Sequence, residues 1–471
     1  MQEDTMSSNP EAEGQAVSLD GVRYAALKQP GGLWRMGTVN PRWLECMPAR
    51  SNPAPEELAA LEAKGVFLAP RVTPEPKLAL VCCGQGGVWP GMGRELYDSF
   101  PACREAMDRL AACASWDVLS LMDEPDLDVL GLTRWQQPYL FLLEYAQFAL
   151  FRSLGLKPAL FCGHSLGELI ALCFAGVYSP ETCWFIMDTR SQFMAELEEK
   201  AEKSSGMMAV YASQDVLEKV QAAWPGLYVS NYNTPNQFIL SGPRDQLAEA
   251  RRALRKDHHP AVILNMKLAF HHPQMRVARS LSYRMLCSLE MHPPGTPLMS
   301  CVTTGFYPPA QTDICRYIVD LDESAVKWLP CVQNMWCQEG VRHFLETGPQ
   351  DTLCGFIREI EPRAVCLSSS ARGREREAMR LALAKLYALG HLKHSLIREA
   401  ARARQHEALA PVPPVPSEKD AAPSGTPEQA RDKAQEQALA QEQTRERTQE
   451  QAQANSVEPA PQAGGRAWPA V

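Results

Sequence analysis

The sequence predicts an α/β protein: a large α/β-hydrolase-like core domain with a parallel sheet, plus an inserted small ferredoxin-like subdomain. Three stretches carry that reading. Residues 161–168 read Phe-Cys-Gly-His-Ser-Leu-Gly-Glu, between a strand-like apolar run, Pro158–Cys162, and a helix-like run, Leu166–Ala175, with no breaker except Gly167. Upstream, an apolar strand from Leu78 enters a glycine-rich loop and then a helix reaching Tyr97. Between residues 206 and 268 the rhythm changes. Strands at Met207–Ala212, Leu227–Asn231, Gln237–Ser241 and Ala261–Met266 are interleaved with helices at Gln214–Trp224 and Arg244–Lys256. Strand–turn–helix units build parallel sheets, and a βαββαβ order is that of a ferredoxin-like unit.

The rest of the chain divides by composition. At 471 residues it exceeds one ordinary core, so one large domain with appendages is expected. Residues 1–76 combine a polar start with a strand pair around Val22–Val39 and an apolar-periodic helix at Pro55–Lys64; the sequence assigns them no function. Residues 77–372 carry every motif discussed below, with 206–268 as the small subdomain. Residues 373–408 form a helical segment rich in Arg and Ala, interrupted near Gly390. From residue 409, and wholly from Pro411, the chain turns to Pro, Ala, Gln and Glu, which predicts a disordered tail. Within that tail, Pro427–Gln453 has the composition of a helix formed on a partner, against the commoner outcome of a solvated tail.

Charge and cysteine usage exclude several classes. A formal net charge of −8 gives no reason to expect nucleic-acid binding. No apolar run approaches a membrane span, and Met1–Gly14 is polar and acidic, without the apolar stretch of a signal peptide. The 15 cysteines are scattered, several within apolar runs (Cys82, Cys83, Cys162, Cys173), and none form a CxxC pair. That pattern points to buried thiols in a reducing cytoplasm rather than a disulfide frame or a zinc site, so no metal is expected.

The chemistry starts at Ser165. A Gly-x-Ser-x-Gly turn between strand and helix projects the serine hydroxyl outward and leaves the next backbone N–H, that of Leu166, facing an incoming carbonyl. Side chains at positions 163 and 167 would crowd such a turn. By itself the string also occurs by chance. A serine nucleophile needs a base, and Leu268-Ala-Phe-His-His-Pro-Gln-Met275 supplies two histidines, either of which is otherwise an ordinary loop residue. His164, beside the serine, points away at a tight turn and reads as a site-shaping group. Gly84-Gln85-Gly86 is a strand–helix turn or, less well, a phosphate cradle; neither a Lys-Ser/Thr ending nor GxGxxG is present. Arg190, in a helix expected over Thr182–Met194, would by default be a solvated arginine.

Taken together these pieces resemble the malonyl-CoA:acyl carrier protein transacylase family, which includes the acyltransferase domains of polyketide and fatty acid synthases. The matching residues are Gly84-Gln85-Gly86 with Gly91-Met92-Gly93, then Gly163-His164-Ser165-Leu166-Gly167-Glu168, and Met187-Asp-Thr-Arg190. After them come Asn231-Tyr-Asn-Thr-Pro-Asn-Gln237 with Ser241-Gly242, Ala269-Phe270-His271, and Glu346-Thr-Gly-Pro349, in the family's order across about residues 77–372. The resemblance implies a Ser165–His271 dyad in which a backbone carbonyl, not a carboxylate, holds the histidine. It implies backbone N–H groups of Gln85 and Leu166 as the oxyanion donors, and Arg190 as a bidentate partner for the free carboxylate of a malonyl or methylmalonyl group. Phe270 resembles the malonyl-selecting pattern, and Asn233 with Gln237 matches the small-subdomain motif.

Departures from the family pattern are specific. Gly87-Val88 stands where Ser-Gln is frequent, Leu268 where a histidine is usual, and Leu321 about where Gln or Asn is usual, in the segment Ile318–Trp328 that orients the histidine. The implied activity is transfer of malonyl from malonyl-CoA onto Ser165 and then to the phosphopantetheine thiol of an acyl carrier protein, by a discrete cytoplasmic monomer with no bound cofactor. Leu381–Gly390 and Gly91–Tyr97 resemble segments of polyketide synthase acyltransferase modules, so a polyketide or polyunsaturated-fatty-acid setting is expected over primary fatty acid synthesis alone. The alternatives are an acyl hydrolase or thioesterase, including a Ser–Asp–His enzyme using Asp257, and a non-catalytic carrier-protein-binding subunit.

Overall fold

A computed structural model describes residues 16–29, 32–46, 53–200 and 205–409. The chain opens with four antiparallel strands paired in chain order: β1 (Val17–Leu19), β2 (Val22–Gln29), β3 (Gly32–Thr38) and β4 (Val66–Pro70). The strand pair expected around Val22–Val39 is the β2–β3 hairpin, and the helix expected at Pro55–Lys64 spans Pro55–Glu62. Leu61 of that helix packs on Ala25, Met36 and Val66 of the sheet.

Strands β5 (Lys77–Cys82) and β6 (Leu160–Gly163) begin the central sheet. Five of the six residues of β5, and all four of β6, are buried, as expected of strands covered on both faces. Next come β7 (Ser205–Tyr211), β8 (Tyr228–Thr234), β9 (Gln237–Pro243) and β10 (Ala261–Ile263), which form a separate antiparallel sheet in the order β10-β7-β9-β8. Helices Gln214–Ala223 and Arg244–Lys256 connect β7 to β8 and β9 to β10. Leu217, Val220, Leu247 and Leu254 of these helices share one core with Met208, Val210, Val229 and Leu240 of the strands. The last strand is shorter than the expected Ala261–Met266.

Strands β11 (Leu298–Met299), β12 (Val341–Thr347) and β13 (Val365–Ser368) complete the central sheet, whose order is β11-β6-β5-β12-β13 with every pair parallel. The carboxyl ends of β5, β6 and β12 therefore lie side by side, which is where parallel α/β sheets present their loops to a ligand. Helix Thr133–Ser153 lies against this sheet, and its Glu144 is fully buried. Burial pushes the Glu144 carboxyl up to about 8. It accepts from the Cys83 backbone N–H at 3.3 Å and from the Thr347 hydroxyl at 2.7 Å, clamping the ends of β5 and β12 together.

Helix Glu375–Ala388 packs against β2, β3 and β4. Tyr387 meets Tyr24 edge-on with ring centroids 5.2 Å apart. A Cβ at Gly37 would lie 2.0 Å from the Ala384 carbonyl oxygen, so helix and sheet touch at backbone level. At its other end, the Glu375 carboxylate accepts from the Gly93 N–H at 2.8 and 3.0 Å, tying this helix to the glycine-rich loop after β5. A break at residues 389–393, with Gly390 at φ +93°, separates it from helix His394–Leu409, at the interruption the sequence predicts. The unit Glu407–Val471 falls almost wholly outside the described residues, and with it the expected tail.

Candidate active site

Ser165 occupies the turn between β6 and helix Gly167–Phe174 at φ +56°, a left-handed conformation that a non-glycine residue adopts only when its surroundings impose it. The surroundings here are backbone. A Cβ on Gly163 would lie 2.1 Å from the carbonyl carbon of Gly167, and one on Gly167 would lie 2.2 Å from the Cys82 carbonyl oxygen. The elbow is thus pressed directly onto the end of β5, and both glycines are sterically required.

The Ser165 hydroxyl stands 2.6 Å from Nε2 of His271. Nδ1 of the same ring lies 2.7 Å from the main-chain carbonyl of Leu321, and the His271 backbone N–H donates to the Asp322 carbonyl at 3.0 Å. His271 is itself at φ +58° and is 4% exposed. Burial lowers the proton affinity of the ring, an effect that the Leu321 carbonyl bond opposes. A neutral imidazole with its lone pair toward a serine hydroxyl is the arrangement required to take a proton. Leu321, at the position where an amide side chain is usual, contributes its backbone only.

Of the other histidines, His272 accepts from the Gln274 N–H at 3.1 Å and caps the short helix Pro273–Ala278. Its ring packs edge-on against Tyr228 and does not border the cleft that holds Ser165. His164 is fixed by Asn233 Oδ1 at 2.8 Å and packs edge-on against Trp328. Burial brings its pKa down to about 4. Asn233 passes the connection on, donating to Gln237 at 2.7 Å, so the elbow is bonded to the β8–β9 hairpin of the small sheet. Asp257 ends helix Arg244–Lys256 and is not among the residues lining the cleft, which leaves the Leu321 carbonyl as the group that orients His271.

The cleft at this point holds about 500 Å³ and is walled by both sheets: Gln85, Leu166 and Arg190 from the large part, and Tyr211, Asn233 and Ile239 from the small one. Ser165, His271 and Phe270 also face it, so every site residue expected from the sequence borders one cavity. Phe270 is buried with Leu268, Met194, Met207 and Met275 in an apolar wall. Among the described residues, no protein acceptor is bonded to the backbone N–H of Gln85 or Leu166. The Gln85 side chain is held at both ends of its amide, donating to Thr133 at 3.1 Å and accepting from Gln137 at 3.2 Å, which fixes the loop that carries its N–H. Glu346 accepts from the Leu353 and Cys354 N–H groups at 3.0 and 2.7 Å, so this motif residue caps helix Thr352–Ile360.

Sequence reasoning missed Asp322. Its carboxylate forms an ion pair with Nη2 of Arg190, and the two side chains are only 12% and 14% exposed. The single signal was an acidic run, Asp320-Leu-Asp322-Glu323, whose members all meet arginines: Arg279 pairs with both Asp320 and Glu323, and Arg276 with Glu323. Among the described residues, no group of three or more His, Cys, Asp or Glu side chains is arranged to hold a metal ion, and no helix is long and apolar enough to cross a membrane.

Residues 79–366 match the family described as the acyl transferase domain. The chain is 28% identical over 306 residues to the malonyl CoA-acyl carrier protein transacylase of Bacillus subtilis (strain 168), spanning 62% of this chain and 93% of that one. It is 30% identical over 294 residues to the spectinabilin polyketide synthase system protein NorB of Streptomyces orinoci, spanning 60% of this chain. Polyketide synthases and a hybrid synthetase are matched over only 10%, 13% and 14% of their own length. The crystal structure of the acyltransferase domain from the second module of the salinomycin polyketide synthase superposes with a TM-score of 0.65 at 28% identity, covering 77% of this chain and 86% of that one. A parallel-sheet α/β fold, the serine elbow and this match agree: the chain belongs to the acyl transferase domain family.

Proposed function

We propose that the protein transfers a malonyl group from malonyl-CoA, through an ester on Ser165, to the phosphopantetheine thiol of an acyl carrier protein. The observation that carries the proposal is the Ser165–His271 contact of 2.6 Å in a cleft that Arg190 also borders. In the first half-reaction the Ser165 proton passes to Nε2 of His271 as Oγ attacks the thioester carbonyl carbon. The developing oxyanion meets the unengaged N–H groups of Gln85 and Leu166, each such donor contributing about 2.7–4 kcal/mol to the transition state. The C–S bond breaks, and the departing CoA sulfur takes the proton from His271. The carrier's thiol then gives its proton to Nε2, attacks the seryl ester, and the C–O bond breaks as Ser165 recovers its proton.

Arg190 is the group suited to a donor carrying a free carboxylate, and Phe270 leaves little room for an α-methyl branch. One methyl is worth about 1–3 kcal/mol of discrimination in an apolar pocket, so malonyl is favoured over methylmalonyl without absolute exclusion. Asn233 shapes the cleft by holding His164. The strand order of the small sheet supports a ferredoxin-like assignment, and the elbow at a parallel strand end supports an α/β-hydrolase-like core. The likeness to the salinomycin domain extends past residues 79–366, which favours a polyketide-type assembly line. The fifteen cysteines are unpaired, in keeping with work in the reducing cytoplasm.

Intact-protein mass after incubation with malonyl-CoA tests the reading: a malonyl adduct is expected, discharged by a carrier protein bearing the phosphopantetheine thiol. Discharge to water at the same rate with and without carrier would indicate an acyl hydrolase, and no adduct would overturn the proposal.

A further inference from the structure

We propose that Asp322 sets the donor specificity of this enzyme by competing with the donor's free carboxylate for Arg190. The inference rests on the reading of Ser165 as the acyl acceptor and of Arg190 as the carboxylate partner. Arg190 borders two spaces: the cleft of Ser165, and a small apolar cavity of about 60 Å³ behind it, lined by residues including Leu169, Ile186, Phe193 and Ile318. Asp322 borders only the second. It therefore holds the guanidinium without itself lining the cleft, and the ion pair between them is largely shielded from water.

The charge count decides the consequence. With Arg190 alone, a malonyl carboxylate would meet one unpaired cation and leave the site neutral. With Asp322 already on that cation, the same carboxylate brings one uncompensated negative charge into a poorly solvated space. Coulomb repulsion and desolvation both oppose it unless Asp322 gives up its contact. An uncharged acyl group meets the opposite situation, because the paired Arg190 leaves no stranded charge beside it. Asp322 thus lowers the preference for a dicarboxylic donor and widens the donor range toward neutral acyl groups. Its backbone has a separate task, since the Asp322 carbonyl holds the His271 N–H, so side-chain replacement leaves the histidine's anchor in place.

Serine loading by malonyl-CoA and by acetyl-CoA, measured as kcat/KM on the full chain for wild type, Asp322→Asn, Arg190→Ala and the double variant, tests the proposal. Asp322→Asn is expected to raise kcat/KM for malonyl-CoA, chiefly through a lower KM, and to lower it for acetyl-CoA, moving the ratio by about tenfold. In the Arg190→Ala background the Asp322→Asn change should leave that ratio unmoved. Asp322→Ser is the second variant, should the amide repack, with thermal melting to verify folding. A ratio that is unchanged, or a malonyl rate that falls with the acetyl rate, overturns the proposal, since Asp322 would then only brace Arg190. Absence of loading by either donor in the wild type overturns the underlying acyltransferase reading and this inference with it, whereas normal loading with an unmoved ratio overturns this inference alone.

Discussion

The main-chain carbonyl of Leu321 lies 2.7 Å from Nδ1 of His271, and that contact fixes the tautomer of the ring. A carbonyl only accepts, so Nδ1 carries the hydrogen and Nε2 presents its lone pair to Ser165 at 2.6 Å. No carboxylate is required for the orientation, and none is supplied. The acidic neighbour, Asp322, turns its side chain to Arg190 and leaves His271 to the backbone.

Removal of either partner of the Ser165–His271 contact should therefore separate loading from folding. Ser165→Ala should show no malonyl adduct by intact mass. His271→Ala should still bind donor but load about 10²- to 10⁴-fold more slowly, the range supplied by a positioned base. His272→Ala should keep the wild-type loading rate, because that ring caps Pro273–Ala278 and packs edge-on against Tyr228 without bordering the cleft. An adduct on Ser165→Ala would place the acyl group elsewhere.

How much of this was legible in the residues follows from the range of the interactions. The elbow was readable because Gly163, Ser165 and Gly167 fall within five positions and the steric demand is local. The small sheet was readable because its strands and helices alternate over short, regular intervals. The Arg190–Asp322 pair was not, since 132 positions separate the partners and neither residue type announces the other. The same applies to the docking of helix Glu375–Ala388 on the N-terminal strands, which depends on a backbone approach at Gly37 that no periodicity encodes. Strand β1 had a signal that went unread: Asp20-Gly21, with φ +50° and +79°, is the two-residue turn that joins it to β2.

The pH profile of loading should carry the mark of a buried base. Burial lowers the proton affinity of His271 below its ordinary value of 6.5, so the ring is neutral and competent at pH 7. Log kcat/KM for malonyl-CoA should fall on the acid side with an inflection below 6.5, and stay level from there toward pH 8. An inflection above 7 would assign the base role to another group.

Stability should have its own acid limb, from His343 and His391. Nδ1 of His343 and Nε2 of His391 are 2.6 Å apart, and burial lowers their pKa values to about 4 and about 3. The unfolded chain binds protons at these rings from about pH 6.5 downward while the folded chain does not, so stability falls as pH drops through that window and is unaffected by them above it. Each ring contributes a slope of up to about 1.4 kcal/mol per pH unit. Between pH 7 and 4.5 these rings pull the melting temperature down while Glu144, whose buried carboxyl is raised to about 8, pulls it the other way, so the readout is the difference between proteins: His391→Asn should gain in melting temperature relative to the wild type as pH drops. An equal slope in the variant would place the titrating groups elsewhere.

Two glycines of similar appearance in the sequence should respond oppositely to alanine. At Gly163 the added Cβ would sit 2.1 Å from the Gly167 carbonyl carbon, a backbone atom inside a turn that cannot shift without moving Ser165. Overpacking of this kind costs about 1–3 kcal/mol or more, and here the strain falls on the residue that carries the acyl group. Gly163→Ala should lower the melting temperature and depress serine loading together. Gly355 lies inside helix Thr352–Ile360, where an added Cβ meets nothing within 4 Å. Alanine at that position restricts the unfolded chain and suits the helix, which stabilises by about 0.4–1 kcal/mol. Because Glu346 already caps the start of this helix, Gly355→Ala should raise the melting temperature with loading unchanged. If Gly163→Ala instead melted and loaded like the wild type, the elbow would have room that its close backbone approach denies, and the left-handed geometry at Ser165 would not be imposed by packing.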